Sequence, residues 1–183
     1  MLAVFCLVSA MSAGSAQALN IERSEARYAS KHYEYEFVAT LDAPVDRVEA
    51  VLRDYTSYTD LDPRILDARV IGRPNDYSIW LETIVRACMG PFCRNVRRIE
   101  LVEESPLSLT ARADASRSDV KFGETTVMLS VADGRTRVSY RTSIVPDFWI
   151  PPFPGRRWML QTLEDSTIDL FRGIEQRAQS QAK

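Results

Sequence analysis

From Ile65 to Val145 the sequence is a nearly unbroken run of strand-like segments, and one long amphipathic helix follows it. That order constrains the fold more than any other feature. "YSIWLETIVRA" puts Ile79, Leu81, Thr83 and Val85 on one face. "LSLTARADA" does the same with Leu109, Ala111, Ala113 and Ala115, and "RVSYRTSIV" with Val138, Tyr140, Thr142 and Ile144. Such alternation marks strands with one buried face. "RPND", "SRSD" and "DGRT" supply the turns between them. Gly123, inside "VKFGETTVMLSVA", predicts a bulge or a sharp bend. In the helix, Leu160, Leu163, Thr167, Leu170, Ile174 and Ala178 recur at three–four spacing, with Phe171 beside them. Glu164, Asp165, Asp169, Arg172 and Glu175 take the other face. A helix with one apolar stripe must lie across another apolar surface.

Upstream, "HYEYEFVATLDA" reads as a half-buried strand with Tyr33, Tyr35, Phe37, Ala39 and Leu41 inward and His32 on the polar, exposed face. Pro44 opens a short helix, and "DYTSYTDLDP" reads as a second one ended by Pro63. The order is strand, two short helices, about six antiparallel strands and a long helix. The expected class is α+β: a curved antiparallel sheet of about seven strands wrapped around the C-terminal helix. Helix and sheet meet at their ends and stand apart between, where small residues such as Ala111 and Ala113 leave room. That space is the candidate site.

Residues 1–18 require separate treatment. "LAVFCLVSAM" has the length of a signal h-region, too short for a membrane span, and Ala16-Gln17-Ala18 is a cleavage-type site. The expectation is a signal peptide over 1–18, one domain over 19–183, and a periplasmic or secreted product. A buried N-terminal helix is the alternative. The remaining cysteines, Cys88 and Cys93, flank Gly90-Pro91 in "ACMGPFCR". In an exported chain this pair reads as a disulfide stapling a hairpin, with free thiols or redox chemistry as alternatives. Metal binding needs more ligands than the pair and a distant His32 provide. With 23 basic and 25 acidic residues, the chain has no electrostatic footprint for nucleic acid.

Three stretches carry a resemblance: "ATLDAPVDRVEAVLRDYTSYTDLDP", "RSDVKFGETTVML" and "VPDFWIPPFPGRRWMLQTL". Together they span most of residues 19–183. The chain resembles the START-like, or SRPBCC, superfamily with its helix-grip fold. More closely it is similar to exported bacterial members of the polyketide cyclase/dehydrase branch, which includes coenzyme Q-binding proteins. The resemblance implies a cavity under the C-terminal helix for lipids, sterols, quinones or polyketides. It supplies no single catalytic motif, and no cofactor is expected.

No G-x-S-x-G, H-E-x-x-H or P-loop is present, so no residue is assigned a catalytic role. "RNVRRIELVEE" reads as a solvated face of paired charges, or as a basic rim for an anionic head group. The ligand-binding candidates are Tyr55, Tyr58, Leu81, Ala111, Ala113, Phe122, Tyr140, Leu163 and Thr167, with Phe148, Trp149 and Phe153 from the proline-rich loop. That loop, "DFWIPPFPGRRW", holds rings in a stiff surface segment. It reads either as the lip of the cavity, able to touch a membrane transiently while cargo passes, or as a plug in the end of the sheet. The expected function is carriage of a hydrophobic small molecule. The alternatives are an envelope module that binds a partner, or a cyclase- or dehydratase-type enzyme using Tyr140, Glu82 or Asp119.

Overall fold

The structure, a computed structural model, describes residues 19–180; the expected signal peptide lies outside the described residues. Eight strands form one antiparallel sheet. They are β1 (Asn20–Ala29), β2 (His32–Leu41), β3 (Ile65–Asn75), β4 (Ser78–Met89), β5 (Phe92–Ser105), β6 (Ser108–Ala113), β7 (Val120–Ala132) and β8 (Arg135–Pro146). Their spatial order is β1-β2-β8-β7-β6-β5-β4-β3. The sheet is curved and unclosed, with β1 and β3 at its edges. Between β2 and β3 lie α1 (Val45–Arg53), a 3-10 turn (Tyr55–Ser57) and the single-turn α2 (Tyr58–Leu61). The segment read as one second helix is thus a 3-10 turn and a separate helical turn. The long helix α3 (Gly155–Ser180) closes the concave face.

The eighth strand is β1, which the alternation did not reveal. Its inward positions are Ser24, Ala26 and Tyr28, small or polar apart from one ring. Its turn to β2 uses Ser30 and Lys31 at φ 50° and 69°. Asn-Gly is the usual marker of such a two-residue turn, and it is absent here. The "DGRT" hairpin forms as expected, with Asp133 and Gly134 at φ 51° and 76° joining β7 to β8.

The core lies between sheet and helix. Tyr35, Phe37, Leu41, Val138 and Phe171 are almost fully buried. Phe171 stacks on Phe37 at 5.3 Å and meets the edge of Tyr140 at 5.7 Å. A ring buried this well contributes roughly 1.5–3 kcal/mol. Gly173 lets α3 approach α2: a Cβ there would overlap the Leu61 carbonyl oxygen. Glu175, placed on the polar face by the helical spacing, is buried instead. It accepts a hydrogen bond from the Asp42 N–H at 2.7 Å, which satisfies the chain where it leaves β2.

Candidate functional site

Between α3 and the middle of the sheet the packing opens into a cavity of about 210 Å³. α3 contributes Leu163, Thr167, Leu170 and Phe171. The sheet contributes Leu81 and Val85 of β4, Ala111 of β6 and Tyr140 of β8. Tyr55 and Tyr58 wall one side with their rings. Their hydroxyls are engaged elsewhere: Tyr55 donates to Glu104 and Tyr58 to the Leu52 carbonyl, both at 2.6 Å. Burial pushes both phenols well above the ordinary tyrosine range.

The wall is mostly apolar but includes Asp62, Thr83, Thr125 and Ser166, and an ion pair is set into it. Arg98 and Glu100, two apart on β5, both face inward and pair with each other. Glu100 is 6% exposed. Arg98 keeps 19% of its side-chain surface exposed, and its Nε is sealed without a hydrogen-bond partner. Burial pulls the guanidinium down, but the Glu100 carboxylate and Tyr140 more than offset it, so its pKa stands above the usual value. The reading of "RNVRRIELVEE" as a solvated face therefore holds only for alternate residues. Arg97 is exposed and bonds Glu82 at 2.6 Å, as does Arg69. Arg98 and Glu100 lie on the opposite face of the same strand. Alternation predicted two faces, but both were charged, so no hydrophobic signal showed which turned inward.

Gly123 makes room beside the pair. A Cβ there would sit 3.0 Å from the Ala113 Cβ and 3.9 Å from a guanidinium nitrogen of Arg98. The expected irregularity falls just before it, as a register shift between Val120 and Phe122. That shift brings Val120 inward, whereas Phe122 follows Glu124 and Met128 onto the outer face, 39% exposed, against the edge of His32. His32 is half-buried and bonds Ser143 at 2.9 Å. Ala113 packs beside the cavity and is outside its lining, while Ala115 lies past the end of β6 and is exposed.

The loop rings lie elsewhere. Phe148 and Trp149, with Phe92, Arg94, Pro151 and Trp158, line a separate groove of about 250 Å³ at the β4–β5 hairpin. Phe153 lines neither space and is 86% exposed. Cys88 and Cys93 face each other across the hairpin and are disulfide-bonded. Of the acid–base candidates, Tyr140 alone lines the cavity. Glu82 is held between Arg69 and Arg97, well below the usual carboxylate range. Asp119 accepts the Arg97 N–H at 2.8 Å.

No family model matches the sequence, and no curated protein matches it. Solved structures do match. A Thermus thermophilus protein is 19% identical, with a TM-score of 0.70 over 82% of this chain and 99% of its own. The aromatase/cyclase ZhuI from Streptomyces is 15% identical, with a TM-score of 0.70 over 83% and 96%. A STAR-related lipid transfer protein from Xanthomonas axonopodis is 13% identical, with a TM-score of 0.64 over 89% and 99%. Identities this low establish the architecture and leave the ligand open. A curved sheet gripping a C-terminal helix, shared along nearly the full length of these proteins, gives this chain the same helix-grip fold.

Proposed function

We propose that the protein binds and carries a compact, largely apolar molecule with one uncharged polar end. The observation that supports this is the cavity itself: a mostly apolar wall with a few neutral hydroxyls, the Arg64-paired Asp62 and a charge-balanced Arg98–Glu100 pair. An anionic head group would compete with Glu100 for the guanidinium. A hydroxyl or carbonyl oxygen would instead add a hydrogen bond to the remaining exposed edge of Arg98. Size narrows the class further. The cavity lies below the ~300–1,000 Å³ usual for small-molecule pockets, which favours a ring system or a single chain over a two-chain lipid. Transfer proteins among the structural neighbours fit this reading. The disulfide supports action in an oxidising compartment, in line with a signal peptide over residues 1–18.

Native mass spectrometry of protein purified from its own host tests the reading. The expected result is a co-purified molecule of compact size that is lost from a Leu163→Trp variant, which fills the cavity. A folded protein that carries nothing, and takes up no hydrophobic dye, overturns it.

A second reading is an enzyme of the cyclase type, favoured by Tyr140, Arg98 and Glu100 sharing one cavity. It requires a bound molecule that is released chemically changed, and Tyr140→Phe would stop that change while leaving binding intact.

A further inference from the structure

The end of the molecule that carries the β4–β5 hairpin and the β8–α3 connection is built differently from the rest of the surface. Three large rings project there: Phe92 is 66% exposed, Trp149 78% and Phe153 86%. Water does not favour such exposure, and apolar patches of this kind mark interaction sites. The rings are also held in place. The Cys88–Cys93 bond closes the hairpin under Phe92. Gly90 lies so close to Trp158 that a Cβ would fall 2.9 Å from the indole. Thr162 of α3 donates to the Cys88 carbonyl at 2.6 Å. Pro151, Pro152 and Pro154 stiffen the loop on the other side. The platform is therefore rigid before it meets anything, so little entropy is lost on contact.

Three arginines lie at the same end. Arg94 lies over Phe148 at 4.1 Å, Arg156 lies over Tyr28 at 4.5 Å, and Arg157 is exposed beside it. Among the described residues these three arginines make no ion pair, whereas the nearby Asp147 is paired with Lys121 at 3.2 Å. The whole chain has a net charge of −2, so this local excess of positive charge belongs to one end. Phe92 and Trp149 flank one groove and Phe153 stands outside it; exposed rings at an end that carries these arginines suit a soft anionic interface. Aromatic tips enter the headgroup layer, and guanidinium groups meet its phosphates.

We infer that this end is a docking surface for the anionic face of a lipid bilayer, with Phe92, Trp149 and Phe153 inserted and Arg94, Arg156 and Arg157 at headgroup level. α3 links it to the cavity: Leu163 stands five residues beyond Trp158, about 7.5 Å at the helical rise. A docked molecule would hold the cavity just above the headgroups.

Sedimentation with vesicles tests this, and no cavity ligand is needed, so its outcome is independent of the proposed function. The chain from Leu19 onward carries every described element of the fold. It is mixed with phosphatidylcholine vesicles with and without phosphatidylglycerol. The expected result is binding to the anionic vesicles, a blue shift of tryptophan emission, and weakening as salt rises. Arg156→Gln/Arg157→Gln should weaken that binding about 25-fold, roughly fivefold per arginine. Trp149→Ala/Phe153→Ala should abolish the shift while the circular dichroism spectrum is unchanged. Phe92→Ala, on the separate hairpin, is the check should the loop variant misfold, and it too should weaken binding. No binding to either vesicle overturns the inference. So does binding that both double variants retain in full. Self-association that the ring substitutions abolish, without vesicle binding, assigns the surface to a second copy instead and overturns it equally.

Discussion

Glu100 and Arg98 show how much one residue's partner matters. Glu100→Gln leaves a guanidinium buried without its counter-charge, and breaking a buried pair from one side costs ~3–5 kcal/mol. Replacing both, as Arg98→Met/Glu100→Leu, should leave stability unchanged or raised, because the cost of burying two charges goes with them. Urea unfolding measures both. If the single and double variants fall equally, the pair is not buried as described. Glu175 gives a pH signature. Burial raises its carboxyl above the usual range, and the Asp42 N–H offsets only part of this. The folded state therefore favours the protonated form. That contribution is complete below the unfolded value of ~4.3 and is lost as pH rises through the raised folded value. Glu175→Gln keeps an acceptor for Asp42 and does not titrate. The melting temperature of the wild type relative to this variant should fall between pH 4 and pH 7; a flat difference would contradict it.

At the scale of elements, the grip depends on how closely α3 approaches the short helices. Gly173 has no side chain because the Leu61 carbonyl occupies the space one would need. Gly173→Ala would ordinarily favour a helix by about 1 kcal/mol. Here the clash with backbone should outweigh that and destabilise by ~1–3 kcal/mol, the usual cost of overpacking. Thermal unfolding decides the sign, and a stabilised variant would mean that α3 can shift. The hairpin is the second such device. Cys88→Ser should cost up to ~2 kcal/mol, the chain-entropy value for so short a loop, and leave the sheet intact. Its larger effect should be on the platform that the hairpin shares with Trp158.

For the whole molecule, the cavity's size makes a prediction about ligand class. A bound hydrophobic dye should be displaced by single-chain amphiphiles and small ring systems bearing a hydroxyl or ketone. Two-chain phospholipids should compete poorly unless α3 moves away from the sheet. Displacement by phospholipid as effective as by single chains would show that the helix opens readily. Ligand binding should also raise the melting temperature, because it favours the folded state by mass action.

Local patterns in the sequence determined the element order, the single long helix, the disulfide hairpin and the inward faces of β2, β4 and β8. Each rests on residues two or four apart, or on a turn, and so is written locally. Helix-grip architecture was legible for the same reason: one apolar stripe must meet one apolar sheet face. Tertiary structure alone decided the rest. It left Phe122 on the outer face with Glu124 and Met128, and used the bulge before it to bring Val120 inward. It carried Glu175 inward to serve a backbone group that helical spacing could not foresee. It separated the loop rings from the cavity, because the stapled hairpin and Trp158 build a groove of their own beside them. Above all it put Arg98 and Glu100 inside. A strand charged on both faces does not say which face is buried until the neighbouring strands and α3 are in place.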